Sequence, residues 1–529
     1  MSENISHWRT TLQTELEAEA ISVNVRTTEA TTIQHWQIAG EFWLRFAQLA
    51  YQQDLRWVAG WAEQETTAFV VHACFAYQGE YLWLSTALHT EKPELPSQAG
   101  IYPAASRSER HTQDLLGIHF TDHPDARVWL RHHAWGKHDY PLRKDFPLQG
   151  YPETITPPDM DYQFVKARGA AVYEIPVGPV HAGIIEPGHF RFQAVGETIL
   201  NLEERLGYVH KGIEKLAEGR TPEALVHLAG RISGDSTVAY SWAACRAMEQ
   251  AVGIRIPARA AFLRGILSER ERIANHLGDI GAICNDVGFA FAQMQFSRLR
   301  EQWQRTQADI FGHRLLMDSL IPGGVKVDLS PADSQILLQE LKALRKELDD
   351  TIPALDLNSA LEDRLFTSGY LSPATAKTFS TVGYVGRSSG QDLDVRRDTP
   401  YAPYDQLDFK VIVEQQGDVA SRVWVRIKEV FASIKLLRQM LQQIPEGEQA
   451  TSWHSPAEHS TGLAMIEGFR GEIISYVRFD NNNKISRFYT RDPSDFGFLA
   501  LEKIVLNNIV PDFPVCNKSV NASYSGHDL

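Results

Sequence analysis

The stretch that most constrains this chain runs from Leu148 to Ala170 (LQGYPETITPPDMDYQFVKARGA). Pro152, Pro157 and Pro158 donate no backbone hydrogen bond and hold the residue before each of them extended, so neither a helix nor a central strand can run through. A chain of 529 residues exceeds what one hydrophobic core accommodates. The break therefore predicts two domains, residues 1–150 and 171–529, joined by a linker over 151–170. The expected class is α+β, with a small N-terminal α/β domain followed by a larger, mainly helical domain carrying peripheral β-hairpins.

Charge narrows the partners. The formal net charge of −14 excludes a broad nucleic-acid footprint or an anionic-lipid surface, which require clustered Lys and Arg. Cys74, Cys245, Cys284 and Cys516 are scattered without a Cys-x-x-Cys pair, which points to a reducing compartment. The opening MSENISHWRTTLQTELEAEA lacks a secretory pattern, and no run of about 18 apolar residues occurs, so a cytoplasmic location is expected.

Along the chain, Ala68–Ala76 and Glu80–Ser85 alternate as half-buried strands do. Leu202, Leu206, Val209, Ile213 and Leu216 step by four and three, which predicts a helix there. Phe262, Ile266, Ile273 and Ile280 mark a second helix, with Glu269 and His276 beside its seam as a structural hydrogen-bond pair. Ser330-Pro331-Ala332-Asp333 is a helix start, the helix running to about Asp350. A β-rich segment is expected at Leu407–Val413, a helix at Arg422–Gln442, and strands at Ala464–Phe469 and Glu472–Phe479.

In Glu186-Pro187-Gly188-His189, Pro and Gly occupy the central positions of a type II turn. Such a turn presents a carboxylate and an imidazole together at a hairpin tip, where they can pass protons or bind a polar ligand; the plain alternative is a surface ion pair.

Longer patterns surround that turn. Gly117-Ile118-His119-Phe120, His123-Pro124-Asp125-Ala126-Arg127 and Pro141-Leu142-Arg143-Lys144-Asp145-Phe146-Pro147 resemble the 30-kDa subunit family of respiratory complex I, a docking domain without a cofactor. His111 departs from it, standing where that family usually has an acidic residue. Gly178-Pro179-Val180-His181, the Glu186–Phe190 stretch, Gly207–Lys215, Glu271–Leu277, Gly386–Gly390, Asp394-Val395-Arg396 and Asp398–Tyr401 are similar to two relatives. These are the large subunit of group 4 nickel–iron hydrogenases and the 49-kDa subunit of complex I. The resemblance implies a cavity beside the turn, with His189 where complex I relatives contact a quinone headgroup and Glu186 where hydrogenases pass protons. It also implies site roles for Arg387 and for Arg470, the latter in Glu467-Gly468-Phe469-Arg470-Gly471-Glu472, where Pro usually precedes the Arg. The alternative for Arg470 is a salt bridge to Glu467 or Glu472.

The same register exposes a loss. Those hydrogenases hold nickel and iron on four thiolates, from one cysteine pair after an Arg and another near the C-terminus. Here Arg231-Ile232 is followed by Ser233-Gly234-Asp235-Ser236, and Asn521-Ala522-Ser523-Tyr524-Ser525-Gly526-His527 stands at the far end, so Ser233, Ser236, Ser523 and Gly526 occupy the four positions. Hydroxyls are hard and scarcely deprotonated, so no nickel–iron metal is expected. Asp235, His527 and Asp528 could hold a hard divalent ion, with a polar remnant cavity as the favoured alternative. The quinone-contacting Tyr of complex I relatives is replaced by Gly234; Asp235 and Tyr240 remain as nearby ligand contacts.

The resemblance thus implies an oxidoreductase-complex subunit, peripheral on the inner face of the cell membrane, that is not a nickel–iron hydrogenase. Its cavity would serve a quinone-like acceptor or redox-coupled proton transfer, as part of electron transport with proton translocation. No cofactor is expected on this chain. The expected partners are a small iron–sulfur subunit and membrane-embedded antiporter-like and quinone-site subunits. A non-catalytic scaffold docking the iron–sulfur partner is the alternative.

Overall fold

A computed structural model of the chain describes residues 7–26, 33–132, 135–136, 138–150, 162–169, 171–181, 185–456 and 459–529. Near its N-terminus, strands β1 (Asn24–Arg26), β2 (Gln34–Gln37), β3 (Arg56–Gln64), β4 (Ala68–Tyr77) and β5 (Glu80–His89) form one sheet in the order β1-β2-β5-β4-β3. The β4–β5 hairpin turns on Gln78 and Gly79, both with positive φ, the two-residue geometry whose twist matches its strands. Helix α1 (Ser106–Leu116) packs on β3 and buries charge as well as apolar surface. Its Glu109 accepts from the Gln98 amide at 2.7 Å, and Asp114 accepts from the amides of Trp129 and Leu130, both at 2.7 Å. The segment from Ser106 to Leu130 is thus partly built into the core, and His111 finds a distant partner, Glu214, at 3.0 Å.

Most of the expected linker, 151–161 and 170, lies outside the described residues. Residues 162–168 run without regular structure along a second sheet, formed in the order β8-β7-β6 by β6 (Tyr173–Val177), β7 (His189–Val195) and β8 (Thr198–Arg205). The Val165 amide donates to Glu203 and the Ala167 amide to Gln193, so this sheet holds the segment.

Strand β8 overturns the helix predicted from Leu202 to Leu216. Pairing with β7 satisfies its backbone, and Gly207 and Gly212, at φ +94° and +67°, then break the chain; only Ile213–Ala217 is helical. The four-and-three spacing is coincidental, local propensity yielding to sheet pairing.

The helical core follows as α2 (Thr237–Val252), α3 (Ala258–Asp286), α4 (Ala290–Phe311), α5 (Pro331–Thr351), α6 (Gly383–Ser388) and α7 (Val419–Gln443). Helix α5 starts on a full capping box, Ser330 with Asp333. Helix α3 is buried on nearly every side, packed against α4 and α7. Leu407–Val413 joins no sheet, contrary to the β-rich expectation. A meander of β9 (Thr461–Gly468), β10 (Gly471–Phe479) and β11 (Ile485–Arg491) covers α2, and α8 (Ser494–Ile504), α9 (Phe513–Val520) and α10 (Tyr524–Asp528) close the chain.

The N-terminal sheet is keyed to this core by charge. Arg56 donates to both oxygens of Glu472, at 2.7 and 3.0 Å, and Tyr81 and Arg491 bond the same carboxylate. A cleft of about 810 Å³ lies beside this junction. Among the described residues no helix is long and apolar enough to cross a membrane.

Candidate functional site

The Val177–Phe190 stretch is the connection from β6 to β7, and its Pro-Gly pair does not make a type II turn. Gly188 lacks the positive φ that such a turn needs at its third residue. Glycine is required there for space instead, because a Cβ would come within 2.5 Å of the Tyr524 ring. Glu186 and His189 consequently meet different surroundings.

Glu186 lines a cavity of about 350 Å³ and accepts from the Ser525 amide at 3.2 Å and its hydroxyl at 3.3 Å. His189 opens β7 away from the cavity wall. Its Nδ1 lies 3.2 Å from the Gly178 carbonyl, which assigns the proton to Nδ1, while Nε2 accepts from Arg191 at 3.3 Å. Burial lowers its pKa, the hydrogen bond to the Gly178 carbonyl opposes this, and Arg191 and Arg205 act with burial.

The two serine-bearing stretches converge on the opposite wall. Ser523 donates to Ser233 at 3.1 Å across 290 positions of sequence. Ser233 and Ser236 donate to Oδ1 of Asp235 at 2.7 and 3.1 Å. Arg470, in the β9–β10 turn, closes on the same carboxylate with both terminal nitrogens, at 2.9 and 2.6 Å. Burial pushes the Asp235 carboxyl up, but the Arg470 guanidinium and the two serine hydroxyls outweigh it and hold it at about 2. Arg470 thus bonds neither Glu467 nor Glu472. Close approach of Gly383 sets the turn: a Cβ on Gly383, at φ +61°, would overlap the Arg470 carbonyl.

Gly526 explains why the fourth position carries no side chain. A Cβ there would lie 2.6 Å from the Tyr240 hydroxyl and 2.9 Å from Asp492 Cγ, and Tyr240 donates to Asp492 in that space. Tyr240 is therefore buried behind the wall and does not line the cavity.

Thiolates are absent, the three hydroxyls are bonded to Asp235 or to one another, and an ion pair spans the spot. These residues do not fit a nickel–iron centre. Nor do Asp235, His527 and Asp528 converge: His527 Nδ1 bonds Asp528 at 2.9 Å, and among the described residues no group of three or more His, Cys, Asp or Glu could hold a metal. All four cysteines are buried elsewhere.

Arg387 stands apart from Arg470, deep in a chain of ion pairs. It pairs with Glu429 at 2.7 Å, Glu467 at 2.8 Å and Asp394 at 3.6 Å. Arg396 joins Asp394 at 2.6 Å to Glu269 at 2.9 Å, Arg272 joins Glu269 at 3.3 Å, and His276 bonds Glu429 at 2.8 Å. Glu269 also accepts from Tyr404 and Ser433. Glu269 and His276 each tie α3 to α7, and they do so through separate partners rather than as a pair with each other. Between this cluster and the cavity lies Glu271, which accepts from the Val238 and Ala239 amides; burial pushes it up to about 8.

Several residues of the site have little signal in the sequence. Asp492 sits in an Asp-Pro-Ser helix start, its Oδ1 accepting from the Ser494 amide at 2.7 Å, a capping pattern that hides its second bond to Tyr240. Arg300 and Lys518 reach the cavity from α4 and α9 and belong to no motif.

Known proteins share this architecture. Residues 37–152 match the model of the respiratory-chain NADH dehydrogenase 30-kDa subunit, 286–461 that of its 49-kDa subunit, and 211–278 that of nickel-dependent hydrogenase. Formate hydrogenlyase subunit 5 of Escherichia coli (strain K12) is 32% identical over 455 residues, covering 85% of this chain and 80% of that protein. The fused C/D polypeptide of NADH-quinone oxidoreductase from Phocaeicola vulgatus is 32% identical over 454 residues, covering 82% and 87%. Among solved structures, a chain of the membrane-bound sulfane sulfur reductase, an archaeal respiratory membrane complex, superposes with a TM-score of 0.64 at 25% identity, covering 68% of this chain and 99% of that one. With both complex I domains in one polypeptide and a hydrogenase segment between them, the chain belongs to the family of fused, hydrogenase-like subunits of complex I and its relatives.

Proposed function

We propose that this chain is a peripheral-arm subunit of a membrane-bound redox complex, placed on the inner face of the cell membrane by partner subunits, in which the cavity and the cluster behind it serve redox-coupled proton transfer without nickel–iron. Relatives named for formate hydrogenlyase, NADH-quinone oxidoreductase and a respiratory membrane complex support the assembly. Electrons would come from an iron–sulfur cluster in a small partner subunit, since this chain's thiols are scattered and buried. Antiporter-like membrane subunits would carry the ion.

The observation that carries the proton role is a charge count. The buried cluster holds four carboxylates, Glu269, Asp394, Glu429 and Glu467, against three guanidiniums, Arg272, Arg387 and Arg396, and one imidazole, His276. Charge neutrality in a low-dielectric interior then requires one further proton, shared between His276 and the carboxylates. Burial and the Asp394 carboxylate hold Glu467 above the usual carboxylate range, so that proton has more than one acceptor. Helix α3 connects the cluster to the cavity: Asn275 on it donates to the Asp235 carbonyl at 2.6 Å. A charge change at the cavity therefore has a titratable group one helix away.

A quinone-like acceptor has weaker support, because among the described residues Tyr524 is the one aromatic on a mainly polar wall and His189 lies off it. The scaffold alternative draws on the closed Asp235–Arg470 pair. In membrane vesicles containing the assembled complex, Glu467→Gln is expected to lower proton translocation at least tenfold per electron transferred, with assembly retained. Unchanged coupling would leave the scaffold.

A further inference from the structure

The cavity wall carries cations that the described residues do not pair. Three carboxylates stand on it, and each is satisfied from within the chain: Glu186 by Ser525, Asp235 by Arg470, and Asp279 by Arg426 at 3.1 Å and Asn521 at 2.8 Å. Four cations stand there too. Arg470 is paired, and Lys211 commits its ammonium to the carbonyls of Arg231 and Ile232, at 3.0 and 2.6 Å. Arg300 and Lys518 form no hydrogen bond or ion pair with the described residues, although Lys518 feels the Asp286 carboxylate, and Arg300 Nε is buried without a partner. A buried N–H left unmade is costly, so an acceptor belongs beside it.

The arginine also has a seat shaped to it. Gly278 of α3 lets the guanidinium lie close along the helix: a Cβ there would come to 3.0 Å from Arg300 Nη1 and 3.1 Å from its Cζ, and would push it away by a few tenths of an ångström. A planar fork held there matches two oxygens on one atom. On the wall itself four cations face three carboxylates, and Asp279 is paired from behind by Arg426, while Glu301 and Asp286 act on Arg300 and Lys518 from outside it.

We infer that Arg300 and Lys518 form a binding site for a small oxyanion of the carboxylate or bicarbonate kind within this cavity. The site is independent of proton coupling, since it is defined in the resting protein. The test uses the purified full chain without an electron donor, titrated with carbon-13 acetate and with bicarbonate and followed by NMR line broadening, with neutral acetamide as the control of equal shape. Saturable binding of the anions and none of acetamide is expected, weakened at least tenfold by Arg300→Gln and by Lys518→Met and unchanged by Lys346→Met on the exposed face of α5. Absence of saturable anion binding, or binding in the two cavity variants equal to that of the parent chain when circular dichroism shows both folded, would overturn the inference.

Discussion

Arg470 and Arg387 present the same guanidinium in two settings. Arg470 closes on Asp235, whose side chain keeps 32% of its exposure and borders a cavity, with serine hydroxyls completing the carboxylate's bonds. Arg387 is enclosed by three carboxylates, none more than 3% exposed. The first pair borders the cavity, so its carboxylate is within reach of water or a ligand there. The second cannot move, because each of its partners would be left as a bare charge in a dry interior, so a change of charge there must be met by a proton rather than by a rearrangement. On the function proposed above, ligand exchange would fall to the cavity and proton storage to the cluster.

The sharpest way to break that contrast is to remove each cation in turn. Arg387→Met leaves Glu429, Glu467 and Asp394 short of their shared partner and is expected to cost about 3–5 kcal/mol in urea denaturation. Arg470→Met, whose partner can rehydrate from the cavity, is expected to cost much less. Equal losses would erase the distinction between the two settings.

What the sequence discloses divides along the same line. The capping box at Ser330 is legible because its signal is local, and the strands around the Gly471 turn and the long helices α3 and α7 lie close to where the sequence places them. Strand β8 is not, because nothing within Leu202–Leu216 records that β7 is waiting to pair with it. At the site, residue identities at Ser233, Ser236, Ser523 and Gly526 announce missing thiolates, yet what fills their place cannot be read from them. Asp492 and Tyr240 are 252 positions apart, and Asp235 and Arg470 are 235 apart. His189 and Glu186 are grouped in sequence by a Pro-Gly pair that makes a bend rather than a type II turn.

A smaller effect distinguishes the layer between cavity and cluster. Glu271 accepts from two amides at the start of α2, faces Asp235 and Arg272, and is pushed by burial to about 8 from the ordinary carboxylate value of 4.5. A folded-state pKa raised in this way means that the folded protein holds the proton more tightly than the unfolded chain. The contribution is complete below about pH 4.5 and is lost as pH rises through about 8, on the order of 3 kcal/mol of it between about pH 6 and pH 8. Glu109 and Glu204, pushed to about 8 chiefly by burial, slope the same way. Denaturation midpoints between about pH 6 and pH 9 are expected to fall less steeply in Glu271→Gln than in the parent chain. Parallel slopes would place the proton elsewhere.

The least disruptive test returns to the fourth thiolate position. Gly526→Cys must place a Cβ against the Tyr240 hydroxyl and Asp492, so overpacking is expected to cost about 1–3 kcal/mol. The quadruple variant with Ser233→Cys, Ser236→Cys and Ser523→Cys added restores four thiols in name, but the Asp235–Arg470 pair still spans the space between them. Elemental analysis of that variant is expected to find no stoichiometric nickel. If nickel bound, the ion pair would be a lid over an intact metal pocket, and the cavity would differ from its hydrogenase relatives by its ligands alone; if none binds, the replacement reaches past the ligands into the residues that hold the cavity's shape.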